Sequence, residues 1–211
     1  PKDPDTALQI ALLSRSGVLP EADFYCPIPY QPLQVCTGDA LKREVSTGEE
    51  GLLDRAFELF VAELKLSDPA WVRKMKLSEM DADSFCDAYF AARLASDPFK
   101  WASQNLLEVE RNREAKVTVA WRYAILRMHE EFEELYPELD EGDRERFDRA
   151  LKKVFVDNYA AVPPESIRRL LALRDAGLLQ VAGIGSDYEL DVLADETVIR
   201  AGDETYRFHV F

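Results

Sequence analysis

Hydrophobic and polar positions divide the chain into stretches with different periodicities. Residues 7–14 form an almost continuous apolar run, which is typical of a parallel strand buried on both faces. Between residues 49 and 161 apolar side chains recur every three or four positions, as they do along one face of a helix. A further helical segment follows, and then short alternating segments near residues 179–185 and 188–211 predict a strand and a β-meander.

This order of elements predicts an α/β fold. We expect a small partial sheet of the dinucleotide-binding type, made of a strand near residues 7–14, a strand near residues 179–185 and the C-terminal β-meander, with a large all-helical insertion. Residues 1–48 would supply the first strand and a loop rich in proline and aromatic residues. Residues 49–161 would form the insertion, and residues 162–211 would complete the sheet.

Capping signals predict where the inserted helices begin and end. The apolar spacing places a first helix over residues 49–66, and Asp81 caps a second. Asp97, followed by proline, starts a long third helix with a break near Asn112, and Asp143 opens a fourth.

The loop at residues 19–33 contains four prolines, which exclude both a helix and a paired strand. Two interpretations of its aromatic residues are open. In the first, Tyr25 and Tyr30 line a substrate or flavin pocket. In the second, the loop is a structural strap whose aromatic rings pack against the helices. We favour the strap, because aromatic side chains mainly supply buried area.

Charge and cysteine content narrow the function classes. Forty acidic and 26 basic side chains give a net charge of −14, which repels nucleic acids and anionic membranes, and no apolar run approaches the length of a membrane span. Neither type of partner is therefore expected. The three cysteines form neither an even disulfide set nor a C-x-x-C pair, so we predict no metal site and a reducing cytoplasm.

Three segments carry a resemblance to a known family. They are SRSGVLPEADFYCPIPYQPL after the first strand, PPESIRRLLALRDAGLLQVAGIG around the second strand, and YRFHVF at the end. Together they resemble FAD/NAD(P)-binding oxidoreductase-like proteins, distantly related to flavin-dependent monooxygenases. In that family a helical insertion interrupts a second dinucleotide-binding domain, so the resemblance implies that this chain is an internal excerpt of a flavoprotein.

The resemblance also implies cofactors and a site. FAD and NADP would serve the parent protein, and the rest of that flavoprotein would be this chain's partner. Arg15, flanked by Ser14 and Ser16, follows the first strand, where an arginine accommodates the 2′-phosphate of NADP. The alternative is that Arg15 is a solvated loop residue. No G-x-G-x-x-G loop is present, so the excerpt alone is expected to bind no cofactor and to be inactive.

A second hypothesis comes from a different function class. The long acidic helix, with a stripe formed by Trp101 and Trp121, would dock a partner protein. The chain would then be a non-catalytic helical interaction module, and its strands would serve only as a scaffold.

Overall fold

The computed structural model describes residues 8–209 as a mixed α/β protein. The helices are α1 (Gly38–Thr47), α2 (Leu52–Ser67), α3 (Pro69–Met75), α4 (Ser84–Leu94), α5 (Pro98–Ala115), α6 (Ala120–Leu135), α7 (Glu141–Arg149), α8 (Leu151–Tyr159) and α9 (Pro164–Asp175). The strands are β1 (Ile10–Ser14), β2 (Leu179–Gly183), β3 (Glu189–Val192), β4 (Thr197–Ala201) and β5 (Glu204–Phe208).

The strands form two separate sheets. β1 pairs with β2 in parallel, with Ile10 opposite Leu179, so a single crossover of about 165 residues joins the two strands. The meander β3–β4–β5 is an antiparallel sheet of its own. The prediction of one sheet was therefore wrong, because alternation along a strand does not specify which strand lies beside it. Predicted strand residues Ala7, Val210 and Phe211 lie outside the described range.

A close backbone approach joins the loop after β1 to the end of β2. Gly17 has φ +70°, and a Cβ atom there would lie 2.7 Å from the backbone nitrogen of Gly183. Only glycine tolerates both the left-handed conformation and this contact. The backbone N–H of Ile184 also donates to the carbonyl oxygen of Ser14, which closes this end of the strand pair.

The larger core lies among the helices, around the fully buried Phe60 of α2. Its ring centroid lies 5.5 Å from that of Phe85, 6.1 Å from that of Phe132 and 5.9 Å from that of Phe155. α2, α4, α6 and α8 thus each contribute one aromatic ring to a single cluster. A second, smaller core lies between α5, α9 and the loop after β1, and it includes Leu106 and Ile167.

Several helix boundaries differ from the predicted ones. α1 lies in the segment expected to be loop, and the seven-residue α3 was not predicted, because neither helix has enough apolar repeats to stand out. The break in the long third helix falls at Lys116, which has φ 54°, four residues after Asn112. The predicted fourth helix is two helices separated at Ala150.

Asp143 does not open a helix as predicted but caps another one. Asp140 is the N-cap of α7, whereas the Asp143 carboxylate accepts a 2.9 Å hydrogen bond from the backbone N–H of Leu53. That N–H is at the start of α2, whose own N-cap, Gly51, has no side chain to offer. The cap therefore comes from a residue 90 positions away in the sequence.

The proline-rich loop is held against the helices by Glu63 of α2, a residue that is 4% exposed. One of its carboxylate oxygens accepts the backbone N–H groups of Gln34, Val35 and Cys36 at 3.0, 2.6 and 3.1 Å. Three donors on one charged acceptor give strong, charge-assisted hydrogen bonds. Glu63 therefore fixes the end of the loop to α2.

Replacing Glu63 with methionine is expected to lower the free energy of unfolding by about 3 kcal/mol, because three N–H groups, one buried and two partly buried, lose their acceptor. Urea unfolding followed by circular dichroism measures this loss. Glu63→Gln keeps an acceptor oxygen and should lose less than half as much. Glu58→Met, at an exposed position of the same helix, is the matched control. Equal losses for Glu63→Met and Glu58→Met would contradict this role of Glu63.

Candidate functional site

A cavity of about 430 Å³ opens between α3, α4, α5 and α6. Two residues of the loop after β1, Glu21 and Phe24, also line it. The size falls within the range of about 300–1,000 Å³ that is usual for small-molecule sites. Lys74, Gln104 and Glu108 are exposed lining residues that make a polar rim.

Aromatic side chains form much of the wall. The rings of Trp71 and Trp121 stack face to face, with centroids 4.4 Å apart and an interplanar angle of 5°. Tyr89 meets Trp121 edge-on, with centroids 5.9 Å apart. Trp101 lines the same cavity, so all three tryptophans of the chain lie in its wall. Trp101 and Trp121, expected on one long helix, lie on the separate helices α5 and α6, and docking of a partner protein by them stays a prediction.

A buried charged cluster lies beside these rings, centred on Glu21, which is 5% exposed. Its Oε1 atom accepts a 2.8 Å hydrogen bond from the indole N–H of Trp101. Its Oε2 atom accepts one from the Asn105 amide at 3.2 Å and forms an ion pair with Arg122. The carboxylate is thus bound from both sides by α5 and α6.

Arg122 is held between aromatic rings. Its guanidinium carbon lies 5.2 Å from the Trp121 ring centroid and 5.8 Å from that of Phe24, within cation–π range. Burial lowers the pKa of Arg122 to about 10, while the negative charge of Asp157 acts in the opposite direction. The side chain therefore remains charged at neutral pH.

Arg93 of α4 is the second buried arginine, and it is 4% exposed. Its Nη2 atom forms an ion pair with Asp157 of α8. Its Nη1 atom lies 3.2 Å from Glu21 Oε1, yet it makes no hydrogen bond within the described part of the chain. Arg93 is a lining residue of the cavity. The guanidinium of Arg93 is thus held between the carboxylates of Glu21 and Asp157, and its Nη1 atom has almost no accessible surface.

The Tyr89 hydroxyl completes the network. It donates to Asp157 Oδ2 at 2.8 Å and accepts from the Asn158 amide at 3.1 Å. Burial and the neighbouring carboxylate of Asp157 raise the pKa of Tyr89 well above its usual value. The phenol therefore stays neutral and fixes the orientation of Asp157.

The residues predicted to bind a cofactor lie elsewhere. Ser14, Arg15 and Ser16 are exposed at the carboxyl end of β1, and none of them lines the cavity. Ser14 Oγ accepts the backbone N–H of Gly17 at 3.0 Å. The Arg15 side chain makes no hydrogen bond or ion pair to any residue in the range 8–209, so its assignment to phosphate binding stays a prediction.

Tyr25 and Tyr30 also lie outside the cavity lining. Tyr30 is 46% exposed, and its ring lies over the guanidinium of Arg127 and against the edge of Tyr123. Tyr123 accepts the backbone N–H of Gln31 at 2.7 Å, which ties the loop to α6. These contacts agree with the strap interpretation, and substrate binding by Tyr25 or Tyr30 stays a prediction.

Within residues 8–209, no group of three or more His, Cys, Asp or Glu side chains is arranged to hold a metal ion. Burial raises the pKa of the thiols of Cys26 and Cys86, which disfavours the reactive thiolate. None of the helices in this range is long and apolar enough to cross a membrane.

Fold and cavity together define a mixed α/β protein in which a helical bundle encloses a charged, aromatic pocket. The chain matches the YdhS-like middle domain over residues 37–159, more than half of its length, and it belongs to that family. It is 54% identical over 204 residues to the uncharacterized protein YdhS of Escherichia coli strain K12. That alignment covers 97% of this chain and 38% of the relative, so the chain spans well under half of the relative's length.

This family assignment overturns the earlier resemblance. The family is not the FAD/NAD(P)-binding oxidoreductase-like one, and the interpretation of the chain as an excerpt of a flavin- and NAD(P)H-dependent oxidoreductase was wrong. Three short segments at the two ends were too small a basis for assigning a fold family, and a shared fold does not specify function. FAD and NADP as cofactors had been inferred from that resemblance, and the ligand-free structure does not test them.

The cavity residues were not identified from the sequence. Glu21, Arg93 and Arg122 are separated by up to 101 positions and form no local motif. One signal was present: Arg122 sits between Trp121 and Tyr123, within the apolar stripe of α6. A charged residue at a core-facing position indicates a buried ion pair, because charges are buried only when they are paired.

Proposed function

We propose that this chain binds a small organic molecule in the cavity between α3, α4, α5 and α6. The observation that carries the proposal is an open cavity of about 430 Å³ whose wall contains all three tryptophans of the chain beside the buried ion pair of Glu21 and Arg122. The aromatic wall supplies the apolar area that such a ligand needs.

An alternative role for the charged cluster is purely structural. Glu21 and its partners also join the loop after β1 to the bundle, since the backbone N–H of Ala22 donates to Asn105 at 2.8 Å. A locking role alone, however, does not require an open cavity lined by three tryptophans. Ligand binding therefore accounts for more of the observed geometry.

Binding can be tested with the intrinsic fluorescence of the protein, because every tryptophan lines the cavity. We expect members of a library of small aromatic compounds to change this fluorescence and to raise the melting temperature with increasing concentration, by mass action. Ala92→Phe fills the cavity from an exposed position of α4 and should weaken such binding at least about tenfold.

Ala91→Phe is the matched control, because Ala91 is also exposed on the same helix but is not a lining residue. It should leave the affinity unchanged. If no compound binds the unmodified chain, or if Ala92→Phe binds as tightly as Ala91→Phe, the cavity is not a ligand site.

Binding of a phosphate group by Arg15 is a separate proposal. It is supported by the position of Arg15, exposed at the carboxyl ends of two parallel strands, where open α/β sheets place their ligands. Ser14 and Ser16 would add hydroxyl donors. The Ser14 hydroxyl is already occupied by a turn hydrogen bond, which reduces its availability.

A further inference from the structure

We infer that the outer edge of β1 binds an extended, basic strand of a partner protein, which adds a third strand to the β1–β2 sheet. This surface is distinct from the cavity, and the inference does not depend on the proposed function. It follows from three properties: the unpaired backbone groups of β1, the apolar cleft beside them and the negative charge around that cleft.

Backbone hydrogen-bonding groups are unpaired along the outer edge of β1, which is the edge that faces away from β2. In the parallel pair, the N–H of Ile10 donates to the carbonyl oxygen of Leu178, so Ile10 and every second residue after it bond to β2. The N–H and C=O groups of Ala11 and Leu13 therefore point away from β2, and they make no hydrogen bond within residues 8–209. Such a row of donors and acceptors is a template for another strand.

The apolar side chains of β1 are only partly covered. Their sequence pattern predicts a strand buried on both faces, yet none of the five residues of β1 is fully buried. Leu12 is 38% exposed, and Leu8, just before the strand, is 63% exposed. The strand contains neither a charged side chain nor a proline, which commonly protect edge strands from pairing with other chains. β1 thus has the composition of a central strand at an edge position.

An apolar cleft of about 590 Å³ lies beside this edge. One wall is formed by residues 8–13, and the other by the meander, through Leu190, Ile199 and Phe208. Six consecutive residues in extended conformation span about 20 Å, so a strand of about six residues matches the length of the first wall. Side chains alternate between the two faces of a strand, and the apolar walls therefore favour apolar residues at every second position of the bound segment.

The charge around the cleft favours a basic partner. Residues 185–209 carry seven acidic and two basic side chains, and both arginines, Arg200 and Arg207, already pair with carboxylates. The whole chain has a net charge of −14. A strand that carries lysine or arginine is attracted by this field, whereas a second copy of the chain is repelled. The occupant is therefore a basic strand of a different protein.

Three labelled peptides test this inference: KVTVKVTVK, a basic strand with valine at every second position; EVTVEVTVE, its acidic counterpart; and KVPVKPTVK, whose prolines interrupt strand pairing. Fluorescence anisotropy on the full chain should give KVTVKVTVK an affinity at least about tenfold above that of either other peptide. This affinity should fall with rising salt concentration, because salt screens exposed charges. Hydrogen-exchange NMR should show that the amides of Ala11 and Leu13 become protected when KVTVKVTVK binds.

A matched pair of variants tests the edge itself. Ala11→Pro removes one outer N–H group and leaves the hydrogen bonds to β2 in place, since proline is tolerated where the N–H does not serve the ladder. This variant should bind KVTVKVTVK at least about tenfold more weakly than the unmodified chain does. Ala11→Val keeps the N–H group and should leave the affinity unchanged.

Four outcomes overturn the inference. Absence of binding by KVTVKVTVK, or equal affinity for KVTVKVTVK and KVPVKPTVK, would show that the edge adds no strand. Tightest binding of EVTVEVTVE would refute a basic partner. Dimerisation of the unmodified chain that Ala11→Pro abolishes would make a second copy the occupant. Should Ala11→Pro fail to fold, the order of the three peptides and the amide protection of Leu13 still decide the question with the unmodified chain.

Discussion

Replacing Glu21 with glutamine is expected to lower the free energy of unfolding by about 3–5 kcal/mol, because it removes one partner of a buried ion pair. Arg122 would lose the one carboxylate within ion-pair distance of it among residues 8–209, and Trp101 and Asn105 would lose a charged acceptor. Urea unfolding at neutral pH measures this loss. The urea concentration at the midpoint falls, while the slope of the free energy of unfolding against urea concentration stays the same.

Glu108→Gln is the matched control, since Glu108 lines the same cavity at an exposed position and should change stability by no more than about 0.5 kcal/mol. A double-mutant cycle with Arg122→Gln separates the ion pair from general packing. We expect the double variant to lose clearly less than the sum of the single losses. Additive losses would show that Glu21 and Arg122 do not act as a pair.

Replacing Phe60 with alanine should destabilise the helical bundle by about 3–5 kcal/mol. The side chain is completely buried and contacts aromatic rings from three other helices, so its removal leaves a cavity that rigid neighbours cannot close. Thermal and urea unfolding both report the loss.

Leu66→Ala provides the comparison on the same helix, because Leu66 is 52% exposed, and it should cost far less than Phe60→Ala. Phe60→Leu, which retains most of the volume, should fall between the two. A loss below about 1 kcal/mol for Phe60→Ala would mean that the bundle does not depend on this cluster.

The longest helices were predictable because their signals are local. Leu53, Phe57, Phe60 and Leu64 lie at helical spacing in α2, and Asp97 followed by Pro98 marks the start of α5. α1 and α3 were missed since they are short and carry few buried residues, so that their stability comes from packing. The boundary between α7 and α8 at Ala150 likewise has no local sequence signal.

The candidate site was not predictable in the same way. Glu21 lies in the proline-rich loop, Arg93 on α4 and Arg122 on α6, and each residue by itself has the appearance of an ordinary charged side chain. Their common environment arises only when the loop packs on the bundle. The predicted residues Ser14 and Arg15 were chosen from a resemblance, and the structure places them at the end of β1, away from the cavity.

Local periodicity, capping and turn chemistry were enough to establish that strands flank a long helical region and that a meander follows it, because these properties act between residues close in the chain. Tertiary structure alone decided that β1 pairs with β2 and not with the meander, that Asp143 caps α2, and that two arginines and two carboxylates meet beside three tryptophans. Each of these contacts joins residues far apart in the sequence, and its free energy depends on burial that only the folded chain provides.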